Sequence, residues 1–150
     1  MKFYELSYKE FFGYDKRFKE RIENINVIGY FSTKLLAKKA IEKYSDELIK
    51  KCKEISKRKF FKIKIVNIKT NIETRNVFLP YYECSIINSN NDYCDFYLFF
   101  DPQSSREAAL EICNDAKDKN KLEKKFMRMK SENFSSNYGV SDFLIDKLYF

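Results

Sequence analysis

The sequence predicts an α+β fold: an antiparallel or mixed sheet of five or six strands with two main helices packed on it. Alternating apolar and aromatic residues mark strands at Tyr4-Leu6-Tyr8, at Phe61-Ile63-Ile65, and in the stretches 82–87 and 93–100. Ala37, Ala40, Ile41, Tyr44, Leu48, Cys52 and Ile55 instead step by three or four residues, which places them on one helix face. Ala109, Ile112, Cys113 and Ala116 repeat that pattern later in the chain. At 150 residues the chain can bury one ordinary core, so a single α+β domain over 1–150 is expected.

The elements follow in order. Lys2 to Tyr8 alternates as a strand, and residues 9–24 are mixed and charged with no assignable period. Asn26 to Phe31 is a short buried strand, and Ser32 or Thr33 then offers a side-chain oxygen to cap a helix over 33–57. Phe60 to Lys69 is the next strand, with Lys62 and Lys64 opposite in phase to Phe61, Ile63 and Ile65. Residues 70–76 are polar and expected to form a loop. Pro80 makes any strand over Asn76–Leu79 an edge or irregular one, because proline cannot donate to a ladder. The stretches 82–87 and 93–100 form a hairpin around Asn88-Ser89-Asn90-Asn91-Asp92. Asp101-Pro102 supplies a cap and a first-turn proline for the second helix. A further helical turn or two around Leu122, Phe126 and Met129 follows. Residues 131–139 are expected to form a loop, and 142–150 a final helix or strand that docks on the core through Phe143, Leu144, Leu148 and Phe150.

Two segments look alike. Tyr30-Phe31-Ser32 leads to Ala40-Ile41, and Phe99-Phe100-Asp101 leads at the same spacing to Ala109-Leu110. Both read as an aromatic strand end, a cap and then a helix, which suggests two strand–strand–helix units sharing a sheet. The alternative is that any strand-to-helix junction needs a cap and an apolar stripe. The run Ile28-Gly29-Tyr30-Phe31-Ser32-Thr33, with Ala37 and Ala40-Ile41 after it, resembles an Ile-Gly-x-Phe-Ser/Thr strand–helix motif of small uncharacterised bacterial and phage domains. The aromatic strand that the resemblance implies after the helix is present at Phe60-Phe61-Lys62-Ile63. The resemblance implies no activity and transfers no site.

Several function classes are excluded by what is missing. The chain has no His, so it cannot build a Ser-His-Asp or Cys-His nucleophile or a histidine zinc finger within itself. Cys52, Cys84, Cys94 and Cys113 contain no close pair of the kind that holds zinc, and Cys84 and Cys94 are placed to face each other across the hairpin, reduced in a cytosol. With only 3 Gly, no loop can wrap a phosphate in backbone amides, so no cofactor is expected. No apolar run reaches the roughly 20 residues of a membrane span, and Met1-Lys2-Phe3-Tyr4-Glu5 is not the start of a secretory signal. A cytoplasmic protein with no membrane partner is expected.

Charge supplies the positive evidence. Residues 1–70 hold 19 Lys and Arg against 9 Asp and Glu, net +10; residues 71–150 hold 10 against 13, net −3. Such polarity favours an acidic partner on one side. Lys39, Lys43, Lys50, Lys53 and Lys57 fall opposite the apolar stripe of the first helix, and Lys62 and Lys64 are expected to extend this ridge. Asp46–Lys50, Glu47–Lys51 and Glu54–Arg58 are acid-first pairs four apart, the pattern of a merely solvated helix. Tyr81, Tyr82, Tyr93 and Tyr97 are candidates for an exposed aromatic platform, which suits base stacking or a protein interface. Glu83, Asp92 and Asp95 beside them would repel phosphates. The expectation is therefore a non-enzymatic binding protein acting on a protein or protein–nucleic-acid surface, such as an inhibitor or accessory factor of a phage or mobile element. The alternative is an RNA- or DNA-binding protein using the lysine face. A third reading is a His-independent metal nuclease built on Glu83, Asp95 and Asp101.

Overall fold

The computed structural model describes residues 2–15, 20–51, 61–68, 75–87, 93–119 and 133–149. Among these described residues, six strands and two helices follow in the order β1 (Lys2–Asp15), β2 (Glu20–Phe31), α1 (Lys34–Lys51), β3 (Phe61–Asn67), β4 (Asn76–Ile87), β5 (Tyr93–Phe99), α2 (Arg106–Lys119) and β6 (Asn133–Leu144). The α+β class is as the sequence predicts, but the strands form two three-stranded antiparallel sheets, ordered β2-β1-β3 and β5-β4-β6, rather than one sheet of five or six. Alternation identifies strands but not their partners, and pairing here stays local: each sheet is filled by a hairpin and the strand after its helix. The chain divides into two compact units, residues 1–77 with 143–150 and residues 78–142.

In unit 1, β2 and β3 both pair antiparallel with β1, so they run parallel to each other. A connection between parallel strands needs a crossover, and α1 is that crossover. It lies against one sheet face, where Ala37 and Ala40 meet Leu6, Tyr8, Ile28 and Phe31, with Tyr4, Ile41, Tyr44, Phe61 and Ile63 closing the edges. Tyr8, Tyr44 and Phe61 form a ring cluster with centroids 5.2–5.7 Å apart. Burying a side chain such as Leu6 contributes roughly 1.5–3 kcal/mol. The helix begins where Thr33 Oγ1 accepts from the Leu36 amide at 3.2 Å, one of the two caps anticipated.

The other face of β1 carries Phe3, Glu5 and Ser7. There the buried Tyr30 hydroxyl donates to Glu5 Oε2 at 2.9 Å, and the Tyr30 ring meets Phe143 edge-on at 5.3 Å. Burial, helped by the Glu5 carboxylate, pushes the Tyr30 phenol far above its ordinary range.

The outer edge of β2 is covered by the chain's own C-terminal segment. Asp146 and Tyr149 amides donate to the carbonyls of Tyr30 and Ile28 at 2.8 and 2.9 Å. Asp146 itself sits at φ 64, and its carboxylate accepts from the Ser32 amide (2.8 Å), the Ser32 hydroxyl (2.8 Å) and Arg75 Nη2 (3.1 Å). An Asp tolerates this left-handed backbone better than most residues because its side chain can bond locally. Gly29 permits the close approach: a Cβ there would lie 2.9 Å from the Lys147 carbonyl.

Unit 2 repeats the build. β4 is central, β5 pairs with it from Tyr81↔Phe99 to Ile87↔Tyr93, and α2 connects β5 to β6. Ser105 Oγ accepts from the Ala108 amide at 3.2 Å, so the cap is Ser105 and not Asp101. Asp101-Pro102 instead lies in a bulge, since Tyr81 faces Phe99 while Phe78 exchanges two hydrogen bonds with Gln103. That bulge explains Pro80, which stands inside a central strand and not at an edge. Its carbonyl accepts from the Phe100 amide at 2.9 Å, and the return bond it cannot make falls where pairing is already interrupted.

Other expectations shift. Of the unassigned segment 9–24, residues 9–15 and 20–24 belong to β1 and β2, and the register shift at Phe11/Gly13 breaks the period of two; residues 16–19 lie outside the described residues. Residues 133–139 belong to β6 and not to a loop. Cys84 faces Phe96 and Cys94 faces Ile86, so the two cysteines are not directly opposite. The expected turns around Leu122, Phe126 and Met129, and helix residues beyond Lys51, lie outside the described residues.

Two outcomes test this packing. Gly29→Ala should destabilise the protein by about 1–3 kcal/mol in urea unfolding, because backbone must move to admit the methyl group. Tyr30→Phe should destabilise it near neutrality by about 1 kcal/mol or somewhat more, the worth of a hydrogen bond to a charged group. Because the folded phenol titrates above the unfolded one, its stabilising contribution is intact below about pH 10 and declines above it as the unfolded chain ionises. The stability gap between wild type and Tyr30→Phe should therefore narrow above about pH 10; parallel curves would contradict the assignment.

Candidate binding surface

Ala37, Ala40, Ile41 and Tyr44 turn one side of α1 into the sheet. Residues on the opposite side must then point to water. Lys39 and Lys43 are exposed there, with Leu35 at 62% exposure and Glu42 and Asp46 exposed among them; Lys38 is exposed on the flank, and Lys34 is exposed in the first turn, in phase with Ala37 and Ile41. Of the anticipated ridge, Lys39 and Lys43 are thus on one surface. Lys50 lies in α1 but its side chain is outside the described residues, as are Lys53 and Lys57 altogether.

Lys62 and Lys64 do not extend the ridge. In the β1–β3 register they stand opposite Ser7 and Glu5, whereas Phe61 and Ile63 stand opposite Tyr8 and Leu6, the residues under α1. Both lysines are exposed, but on the sheet face that α1 does not cover. The helix lysines and the strand lysines therefore point in opposite directions.

The aromatic platform also breaks up. Tyr82 is fully buried at 0% exposure, its ring 4.8 Å from Tyr138. Tyr81 and Tyr97 do share a face with Phe99: their centroids are 5.9 Å apart, and Tyr97 stacks on Phe99 at 6.0 Å and 11°. These rings are half-buried, and the Tyr97 hydroxyl donates to Glu83 Oε1 at 3.4 Å. Rings satisfied by one another and flanked by a carboxylate are poorly arranged to stack nucleobases. Tyr93 lies in β5 and its side chain is outside the described residues.

Glu83 is engaged by Tyr97, Asp101 is exposed in the bulge, and the Asp95 side chain is outside the described residues. Among the described residues no group of three or more Cys, Asp and Glu is placed to hold a metal ion. No helix among them is long and apolar enough to cross a membrane.

The charge asymmetry follows the two units. Unit 1 holds 21 Lys and Arg against 11 Asp and Glu, net +10; unit 2 holds 8 against 11, net −3. Sequence reasoning missed the solvent face of α2, where Glu107, Glu111 and Asp115 are exposed at four-residue spacing. That spacing is readable from the sequence once Ala109 and Cys113 are known to be the buried side.

A mutational contrast separates core from surface. Tyr82→Ala should cost about 3–5 kcal/mol in urea unfolding, as for other large buried rings. Lys39→Ala and Lys43→Ala should each stay within about 0.5 kcal/mol of wild type. Equal costs would contradict the placement.

No protein-family model, no curated protein and no solved structure matches this chain.

Proposed function

We propose that this chain is a non-enzymatic, cytoplasmic binding protein that occupies an acidic macromolecular surface with the outer face of α1. The observation that carries this reading is the charge difference between two units of the same build. Folding alone does not require it, since both units reach the same topology with net charges of +10 and −3. A field of this kind raises the encounter rate with an acidic partner and orients the approach. Lys34, Lys38, Lys39 and Lys43 give that field a surface, and the exposed Leu35 gives it apolar area to bury. A role as an inhibitor or accessory factor of a phage or mobile element fits a small protein that works by occupation.

A second reading uses the same helix on nucleic acid. Lys39 and Lys43, one turn apart and both exposed, favour it, because such a pair can follow a line of phosphates. The self-engaged rings of Tyr81, Tyr97 and Phe99 count against stacking on single strands.

Fluorescence anisotropy with labelled poly-L-glutamate, duplex DNA and single-stranded RNA, at low and high salt, tests both. Poly-L-glutamate should bind at low salt, weaken steeply as salt rises, and bind Lys39→Glu/Lys43→Glu about tenfold less tightly. Tighter binding of either nucleic acid, with the same dependence on these lysines, would replace the first reading with the second. No binding of any of the three at low salt would overturn both.

A further inference from the structure

The two helices are equivalent elements, so their solvent faces can be compared position by position. Thr33 and Ser105 cap them in the same way, each accepting from the amide three residues on with its side chain and four residues on with its carbonyl, all at 3.2 Å. This registers Ala37 with Ala109, both fully buried, and corrects the match of Ala40 with Ala109 that the strand ends suggest. In that register Ile41 falls on Cys113, and core positions keep their apolar character.

Two solvent positions invert, while Lys34 and Arg106 keep the same sign. Lys39 corresponds to Glu111 and Lys43 to Asp115, and all four side chains are exposed. Glu107, one turn before Glu111, is exposed as well. A face that only needs solvation has no reason to exchange cation for anion at two successive turns in the same phase.

We propose that the acidic surface taken by α1 is α2 of a second copy of this chain. This rests on the reading of α1 as the anion-seeking face and names its partner. Residues four apart rise about 6 Å along a helix, so Lys39–Lys43 and Glu111–Asp115 have matched spacing and both pairs can form together. Leu35 and Leu110, at 62% and 45% exposure, supply apolar surface beside the charges. Each copy carries one basic and one acidic helix, so the contact joins unlike surfaces. Exposed ion pairs are individually weak and screened by salt, so the association is weak, grows with protein concentration and is strongest at low ionic strength.

Sedimentation of the full chain over a concentration series tests this. At low salt the weight-average mass should rise with concentration, and at high salt it should return to 18.1 kDa. Lys39→Glu/Lys43→Glu and Glu111→Lys/Asp115→Lys should each weaken association about tenfold or more, while far-UV circular dichroism stays unchanged. An equimolar mixture of the two variants should associate again, because each supplies the charge the other lost. A wild-type chain that stays at 18.1 kDa throughout at low salt overturns the proposal, as does a mixture that fails to recover the association seen in wild type. Poly-L-glutamate separates this failure from that of the broader reading. Binding that needs Lys39 and Lys43 but not Glu111 and Asp115, in a chain that remains monomeric, removes the second copy as partner and leaves the acidic-surface function standing.

Discussion

Everything in each unit depends on its first strand being central. β1 pairs on both edges, with β2 and β3, and β4 pairs with β5 and β6. Antiparallel pairing on both sides makes the flanking strands parallel, and only a crossover can join them. The helix is therefore a topological necessity, and it can bury one side only. Its other side is a surface whose composition the fold leaves free. In α1 that surface is rich in lysine, and in α2 it carries Glu107, Glu111 and Asp115. The same logic explains the C-terminal segment: β2 is an edge, and hydrogen bonds from Asp146 and Tyr149 to Tyr30 and Ile28 close it against unwanted pairing.

Much of this was legible in the residues. The stripe Ala37, Ala40, Ile41 and Tyr44 located α1 and its buried side, and Ser32 or Thr33 located its start. The β4–β5 hairpin followed from alternation around an Asn-rich turn. What failed to show was non-local. Residues 9–15, 20–24 and 133–139 show no clear strand pattern, yet they are strands because a partner holds them, which propensity does not record. Pro80 called for an edge or irregular strand, and the strand is central but irregular, with the bulge at Asp101-Pro102 accommodating the proline. The division into two sheets is a choice of partners, and side-chain alternation is silent on that.

The candidate surface divides in the same way. Lys39 and Lys43 were recognisable as solvent-facing because their helix has a clear apolar side. Lys62 and Lys64 were recognisable as exposed, but which sheet face α1 would cover was not, and that decides whether the two sets join. Tyr81 and Tyr82 carried a signal that was available: neighbours in a strand point to opposite faces, so they could not both belong to one platform. The acidic stripe of α2 was readable opposite Ala109 and Cys113, but its register with α1 was not: only with Ser105 as cap do the positions of the two helices match.

On the proposed reading, the outer face of α1 recognises acidic surfaces. Amide chemical-shift mapping on titration with poly-L-glutamate tests it residue by residue. Changes should concentrate in α1, be strongest around Lys38, Lys39 and Lys43, and vanish at high salt. Changes centred on Lys62 and Lys64, or spread evenly over the basic unit, would contradict it.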